Sequence, residues 1–322
     1  MFANVCETAG PFDPRTCEPN RSSGYVEEQR PAIQSTMPGT VRVTGLTLAT
    51  DRLDSSPAGC LVVREDMLTI SVKDVGDYAL MWTPTEECAG DVGYTREDGL
   101  LADGGTPEAL ALATGFAFTE GIVSQMSDVR AMWICAERPD VVNIELVSPE
   151  KAEVARRDVV INSSCGVCGG REQLMERVIA NSSPAEQPYL TIGDLACIRN
   201  EMQRRQHVFA GTGGTHGAAL FDANLRLLHV AEDLGRHNAL DKVIGYRLLS
   251  GKDFNACSAF ISSRVSYEMA AKAVRAGLSI LAAISAPSSL AIELAEKHGL
   301  TLCGFVRDHR ATVYTHPQRI TG

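Results

Sequence analysis

The chain contains no apolar run long enough to cross a membrane. Its best stretch, residues 278–284, falls far short of the roughly 20 residues that a spanning helix needs. The first ten residues carry neither a basic start nor an apolar core, so no secretory signal is expected. Positive charge is also in short supply. Thirty Lys and Arg stand against 40 Asp and Glu, a formal net charge of −10, and the pI is near 5.2. That excludes a nucleic-acid coat or a general binder of anionic membranes, which would need a basic surface, but leaves room for a local basic pocket. There is no internal repeat. A second CxxC is missing, and no HxxxH follows the single one, so a zinc ribbon would lack half its ligands and no zinc is expected. Thiols, by contrast, are plentiful. The eight outside the CxxC are scattered (Cys6, Cys17, Cys60, Cys88, Cys135, Cys197, Cys257, Cys303), which with the missing leader points to free thiols in a reducing cytoplasm.

The 322 residues leave room for two domains of ordinary size, and 44% hydrophobic with 22% charged residues is a soluble globular composition. Residues 1–60 hold six of the 14 prolines among Ser, Thr and Gly, and read as extended or disordered, with a strand-like stretch at 40–46. Residues 61–157 read as a small α+β domain. Leu68, Ile70 and Val72 alternate with polar residues, and 78–83 returns as a second strand. A polar, glycine-rich surface loop is expected over 85–105. Thr106-Pro107-Glu108 then looks like a helix start, with Thr as N-cap. That helix stops near Gly121, and strands follow at 129–136 and 141–147. From 158 to 322 strands and helices alternate. Helices at 191–203, 238–249, 267–276 and 289–298 separate strands at 218–221, 227–232, 259–262, 279–284 and 301–306. This pattern predicts an α/β sheet covered by helices on both faces, with ligands at the loops beyond the strand ends.

The stretch NSSCGVCGG, residues 162–170, carries the most distinctive chemistry. Cys165 and Cys168 stand among Gly166, Gly169 and Gly170, between a strand-like DVVI and a helical REQLMERVI. A thiol at a helix N-terminus ionises below its free pKa of about 8.5. The pair is compatible with half a zinc site, a thioredoxin-like dithiol, two buried thiols or a sulfur-handling nucleophile. Four more segments could carry chemistry. TGGTH (212–216) brings Thr215 and His216 to the start of a strand; its plainer reading is a tight turn. EDLGRHNALDK (232–242) places Arg236 and His237 where a solvated helix start would carry acids. Ser262, Ser263 and Arg264, and Ser285 and Ser288 within SAPSS, close a strand and open a helix, which suits either an anion site or plain capping. Residues 305–322 hold Arg307, Arg310 and Arg319 against the single acid Asp308, a phosphate clamp or a solvated basic tail.

Taken in order, NSSCGVCG, TGGTH, EDLGRHNALDK, SSRVSYEM, SAPSSLA and GFVRDHRATVYTHP resemble the FdhD family, the formate dehydrogenase accessory sulfurtransferases. The resemblance covers residues 68–319, is densest from 163 on, and includes ALATGFAFTEGIV at 111–123. The tail before residue 61 and the loop 85–105 are longer than the family leads one to expect. The resemblance implies a cytidine-deaminase-like α/β/α sandwich and a homodimer. It implies transfer of sulfur from a cysteine desulfurase to the metal of the bis(molybdopterin guanine dinucleotide) cofactor, which then enters the formate dehydrogenase catalytic subunit. The first Cys of the CxxC, here Cys165, would carry the persulfide. The cofactor segment maps onto Phe305, Val306, Arg307, Asp308, His309 and Arg310, and GDP would serve as a partial mimic of the cofactor. Deaminase activity itself is not expected, because Ser164 rather than proline precedes Cys165 and no HxE lies upstream. A thioredoxin-like oxidoreductase and a non-catalytic molybdenum-cofactor scaffold are the competing functions.

Overall fold

A computed structural model describes residues 37–46, 57–86, 92–101, 106–152 and 190–321. Strand β1 (Thr40–Leu46) pairs antiparallel with β2 (Pro57–Val63), so the proline-rich N-terminal region contributes a hairpin as well as the expected strand. A first six-stranded sheet follows, built from β3 (Asp66–Val72), β4 (Gly76–Trp82), β5 (Val92–Thr95), β6 (Gly99–Leu101), β7 (Val129–Cys135) and β8 (Arg138–Leu146) in the order β4-β3-β8-β7-β5-β6. The alternation along β3 turns Leu68, Ile70 and Val72 inward and leaves Met67 exposed. Strands β5 and β6 lie inside the stretch expected to be a surface loop. Tyr94 and Leu100 pack on the core there, which a polar, glycine-rich composition conceals.

Between β6 and β7 runs α1 (Glu108–Thr119). Thr106 does not cap it. Pro107 holds the cap position, where its ring has no acceptor to offer, and Glu108 turns into the protein. Its carboxylate accepts from the Thr85 N–H at 2.6 Å and the Thr85 hydroxyl at 2.7 Å, and lies 2.7 Å from the Lys242 ammonium.

The second half comprises β9 (Leu190–Thr191), α2 (Ile192–Arg205), α3 (His207–Thr212), β10 (His216–Phe221), β11 (Leu227–Asp233), α4 (Arg236–Leu249), β12 (Ser258–Ile261), α5 (Tyr267–Arg275), β13 (Ile280–Ala283), α6 (Ser289–Lys297), β14 (Thr301–Gly304), β15 (Thr312–Thr315) and β16 (Ile320–Thr321). Its six-stranded sheet runs β11-β10-β12-β13-β14-β15. The centre, β12-β13-β14, is parallel, and antiparallel strands flank it on both sides. The central strands are buried on both faces, in keeping with their mainly apolar sequences. Ala218, Leu220, Ala259, Ile261, Leu281 and Leu302 join the core that contains α4, α5 and α6. Ala219, Phe221, Phe260, Ile280, Ala282 and Cys303 face the other way, onto Leu195, Ile198 and Met202 of α2. The first core runs without a break from the first sheet through α1 and α4 to the second sheet. The expected boundary between 61–157 and 158–322 falls in residues 153–189, outside the described residues.

Two buried lysines fasten these layers together. Lys242 has no exposure; it lies 2.7 Å from both Glu108 and Asp233 and donates to the carbonyls of Thr83 (2.8 Å) and Glu232 (2.9 Å). Lys272 on α5 reaches Asp241 on α4 at 2.8 Å and the Thr119 hydroxyl at the end of α1 at 2.7 Å.

Candidate functional site

The register of the second sheet brings several of the segments expected to bind a ligand to one rim. Strands β12, β13 and β14 run in parallel, so their C-terminal ends lie together. Strand β10 is antiparallel to β12, which brings its first residue, His216, to the same rim, and Asp233 at the end of β11 is paired with His216. Four loops therefore converge: 234–235, 262–266, 284–288 and 305–311. The first three lead directly into α4, α5 and α6, whose N-terminal N–H groups and positive dipole ends face this rim.

Backbone and serine hydrogen bonds lace the loops together. The Gly217 N–H donates to the Ser262 hydroxyl, and the Ser262 N–H to the Gly217 carbonyl, both at 2.9 Å. Val265 N–H donates to Ala286 O at 3.1 Å, and Ser288 N–H returns to Val265 O at 2.9 Å. Phe305 N–H donates to Ser285 O at 3.2 Å. Gly304 allows this approach, since a Cβ there would lie 2.9 Å from the Pro287 ring and 3.0 Å from Ser285 O. Ser266 caps α5 and Ser288 caps α6. Ser263 is buried and donates to Arg264 O at 3.0 Å. The hydroxyls of Ser262, Ser263, Ser266 and Ser288 thus serve the backbone, and the cationic side chains of the rim are suited to an anion.

His216 sits half-buried among them. Burial holds its imidazole below the usual range, Arg236 and Arg264 push in the same direction, and Asp233 opposes them. His237 Nε2 lies 3.0 Å from Glu268 Oε2, joining the first turns of α4 and α5.

The 305–310 segment follows β14. The strand was expected to reach residue 306 but stops at Gly304, because Phe305 takes the left-handed φ of 53° and is 42% exposed. The Val306 side chain is fully buried against the α2 side of the sheet. Arg307 N–H closes a turn onto Arg310 O at 2.8 Å, and its Nη1 donates to the carbonyls of Ile284 (2.8 Å) and Val306 (2.9 Å). His309 and Arg310 are exposed.

Thr215 faces away from the rim. It is buried and donates to Glu232 at 2.7 Å, and the same carboxylate takes the N–H groups of Val208 and Phe209. The acids and the lysine of EDLGRHNALDK are likewise internal fastenings, and only Arg236 and His237 of that motif belong to the rim. One rim-adjacent residue escaped the sequence reading: Arg199 on α2, whose Nη2 lies 2.5 Å from Asp308 Oδ1. It stands on the apolar stripe of Leu195, Ile198 and Met202, where an arginine needs an acceptor, and that is the signal that could have found it.

Cys165 and Cys168 lie outside the described residues. Among the described residues, no three His, Cys, Asp or Glu side chains converge in a way that could hold a metal. Cys257 and Cys303 are buried, and burial raises both thiols, Cys303 to about 12, so neither is a nucleophile.

A model of the FdhD/NarQ family matches residues 104–321. Similar proteins include the sulfur carrier protein FdhD of Thermoplasma acidophilum, 38% identical over 215 residues that cover 65% of this chain and 74% of that one. Another is the sulfur carrier protein FdhD of Xanthomonas campestris, 43% identical over 222 residues covering 67% and 78%. The crystal structure of a protein from Desulfotalea psychrophila, assigned as a formate dehydrogenase accessory protein, covers 88% of this chain and 100% of its own at a TM-score of 0.66. At 21% identity that likeness shows a shared mixed α/β fold. The family match takes in every loop of the rim, and the chain belongs to the FdhD/NarQ family.

Proposed function

We propose that this protein is a cytoplasmic sulfurtransferase and cofactor chaperone, acting as a homodimer. A Cys165 thiolate attacks the outer sulfur of a persulfide on a cysteine desulfurase. The sulfur–sulfur bond breaks, the desulfurase cysteine leaves as a thiolate, and Cys165 keeps the sulfur as its own persulfide. The acceptor is the metal of a bis(molybdopterin guanine dinucleotide) cofactor bound at the rim, which is then handed to the formate dehydrogenase catalytic subunit. Cys168 shelters or assists the sulfur. The observation that carries this reading is the rim itself. A chain of net charge −10 gathers Arg236, Arg264, Arg307 and Arg310 with His216, His237 and His309 where four loops and three helix starts meet, an arrangement suited to a pyrophosphate-bearing ligand. The names of the relatives, sulfur carriers and a formate dehydrogenase accessory protein, support the sulfur-transfer class.

The decisive experiment is mass spectrometry after incubation with a cysteine desulfurase and cysteine. Sulfur transfer predicts a gain of about 32 Da on the peptide bearing Cys165, absent in Cys165→Ala. A reversible Cys165–Cys168 disulfide without that adduct would favour a thioredoxin-like oxidoreductase. No covalent change with intact GDP binding would leave a cofactor scaffold.

A further inference from the structure

Resting on the rim as the binding site for a guanine-nucleotide phosphate ligand, we propose that Arg199 is a positioning residue for the 305–310 loop: it anchors the loop through Asp308 and keeps that carboxylate out of the ligand's way. Asp308 is the only acid in the segment and stands between Arg307 and Arg310. A free carboxylate there would repel the phosphates that the two arginines are placed to hold. Arg199 Nη2 lies 2.5 Å from Asp308 Oδ1 and also donates to the Asn200 side chain at 2.7 Å. The two partners are unequally placed. Only 11% of the Arg199 side chain is exposed, against 64% for Asp308, so a largely buried cation holds an exposed acid.

Arg199 is itself well anchored. The capping box of Thr191 and Asp194 starts α2, Leu195, Ile198 and Met202 seat it, and Val306 enters the same apolar cluster. The loop is therefore pinned twice on the α2 side of the sheet, by the Val306 side chain and by the Asp308 carboxylate. The helix starts of the rim belong to α4, α5 and α6, which pack on the opposite face. Drawing Asp308 toward α2 separates the one negative group of the segment from those starts. The ion pair keeps the Asp308 carboxyl below the usual carboxylate range, so it stays charged, and therefore held, throughout the physiological range.

The test is a double-mutant cycle read by GDP titration, with backbone hydrogen exchange over residues 305–311 as a readout that needs no ligand. Arg199→Ala is expected to weaken GDP binding by roughly tenfold and to speed exchange in that segment. Asp308→Asn should bind within about threefold of the parent, because the amide oxygen still accepts from Arg199 and the charge is gone. The double variant should bind more tightly than Arg199→Ala alone, which a purely structural role of Arg199 would not produce. Arg199→Lys, which keeps the cation, should recover part of the loss and guards against misfolding in the alanine variant. Unchanged exchange over 305–311 in Arg199→Ala would overturn the proposal, as would a double variant no better than Arg199→Ala. Loss of GDP binding in Asp308→Asn alone would make Asp308 a ligand contact and overturn it too. A parent protein that fails to bind GDP at all would sink the rim as the nucleotide site, while exchange still decides whether Arg199 holds the loop.

Discussion

Among the described residues, α1 and α4 cross at very close range, and this makes a strong prediction about Gly245. A Cβ placed there would lie 1.8 Å from the Ala111 carbonyl oxygen, 2.6 Å from its carbon and 2.9 Å from Gly115 N. All three are backbone atoms, so no side chain can swing aside. Ordinary contact begins near 3.4 Å, so Gly245→Ala must part the helices by about 1.6 Å locally. Overpacking of this kind costs about 1–3 kcal/mol where side chains can adjust, and more where they cannot. A gap of 0.5–1 Å already forfeits a quarter to a half of each dispersion contact, and α1 is buried along almost its whole length. Against this, alanine is favoured over glycine in a helix by about 1 kcal/mol. The net expectation is a loss of at least about 3 kcal/mol in urea unfolding. Gly115→Ala should behave alike, since its Cβ would lie 1.9 Å from Asp241 O. Gly193→Ala is the control. Its Cβ would meet nothing closer than the Thr191 hydroxyl at 3.5 Å, so this variant should be neutral or gain up to about 1 kcal/mol. A Gly245→Ala protein within about 0.5 kcal/mol of the parent would refute the packing argument.

Lys242→Met should cost about 3–5 kcal/mol in the same assay, because it strands the carboxylates of Glu108 and Asp233 without their cation; a loss under about 1 kcal/mol would show that water or a proton replaces it. Arg310→Ala should weaken GDP binding by about 1.5–3 kcal/mol by calorimetry without touching stability. Arg307→Ala should lose affinity and also some stability, since Arg307 ties down the Ile284 and Val306 carbonyls; full GDP affinity in both variants would move the clamp toward Arg264. Stability should fall as pH drops from about 6.5 toward 4. Burial, with Arg247 and Lys252 adding like charge, pushes the His229 imidazole down to about 4, and His216 and His298 are lowered as well. The unfolded chain therefore takes up protons in that window before the folded one does, which favours unfolding. Allowing for its partial exposure, His229 contributes about 1–2 kcal/mol of this, and His229→Gln should flatten the curve; an unchanged slope would remove His229 as the cause.

Much of the second half could be read directly from the sequence. Gly277 and Gly299 end α5 and α6 with φ of 69° and 73°, as C-terminal glycines should. The buried runs of β12, β13 and β14 were legible for the same reason, because a parallel core strand is apolar on both faces. What escaped the sequence was decided at long range. Nothing local marks Glu108 as a residue that turns inward, since the reason lies in Lys242, far along the chain. Strands β5 and β6 are short and lie in a polar, glycine-rich stretch, and it is the pairing of β5 with β7 that joins the two to the sheet. The rim was anticipated as a set of loops, but which side chains face it depends on register. Thr215 precedes His216 by one residue, yet it is committed to Glu232 while His216 opens onto the rim.

The division of labour among charges follows from the same geometry. In this acidic chain the buried carboxylates are answered from within: Glu108 and Asp233 by Lys242, Asp241 by Lys272, and Glu232 by two backbone N–H groups and a hydroxyl. These fastenings fix α4 against α1 and so set where Arg236 and His237 emerge. The rim cations stand on loops whose backbones are already bonded to one another. Binding a polyanion there costs little reorganisation, which is how a preorganised site gains affinity. The surrounding negative charge acts differently. Beyond the Debye length of about 8 Å at physiological salt it is largely screened, as are the rim cations, so attraction to the rim acts only at short range. The proposed ligand, a doubly pyrophosphorylated cofactor, would therefore be selected by the short-range fit of its phosphates to the rim rather than by long-range steering.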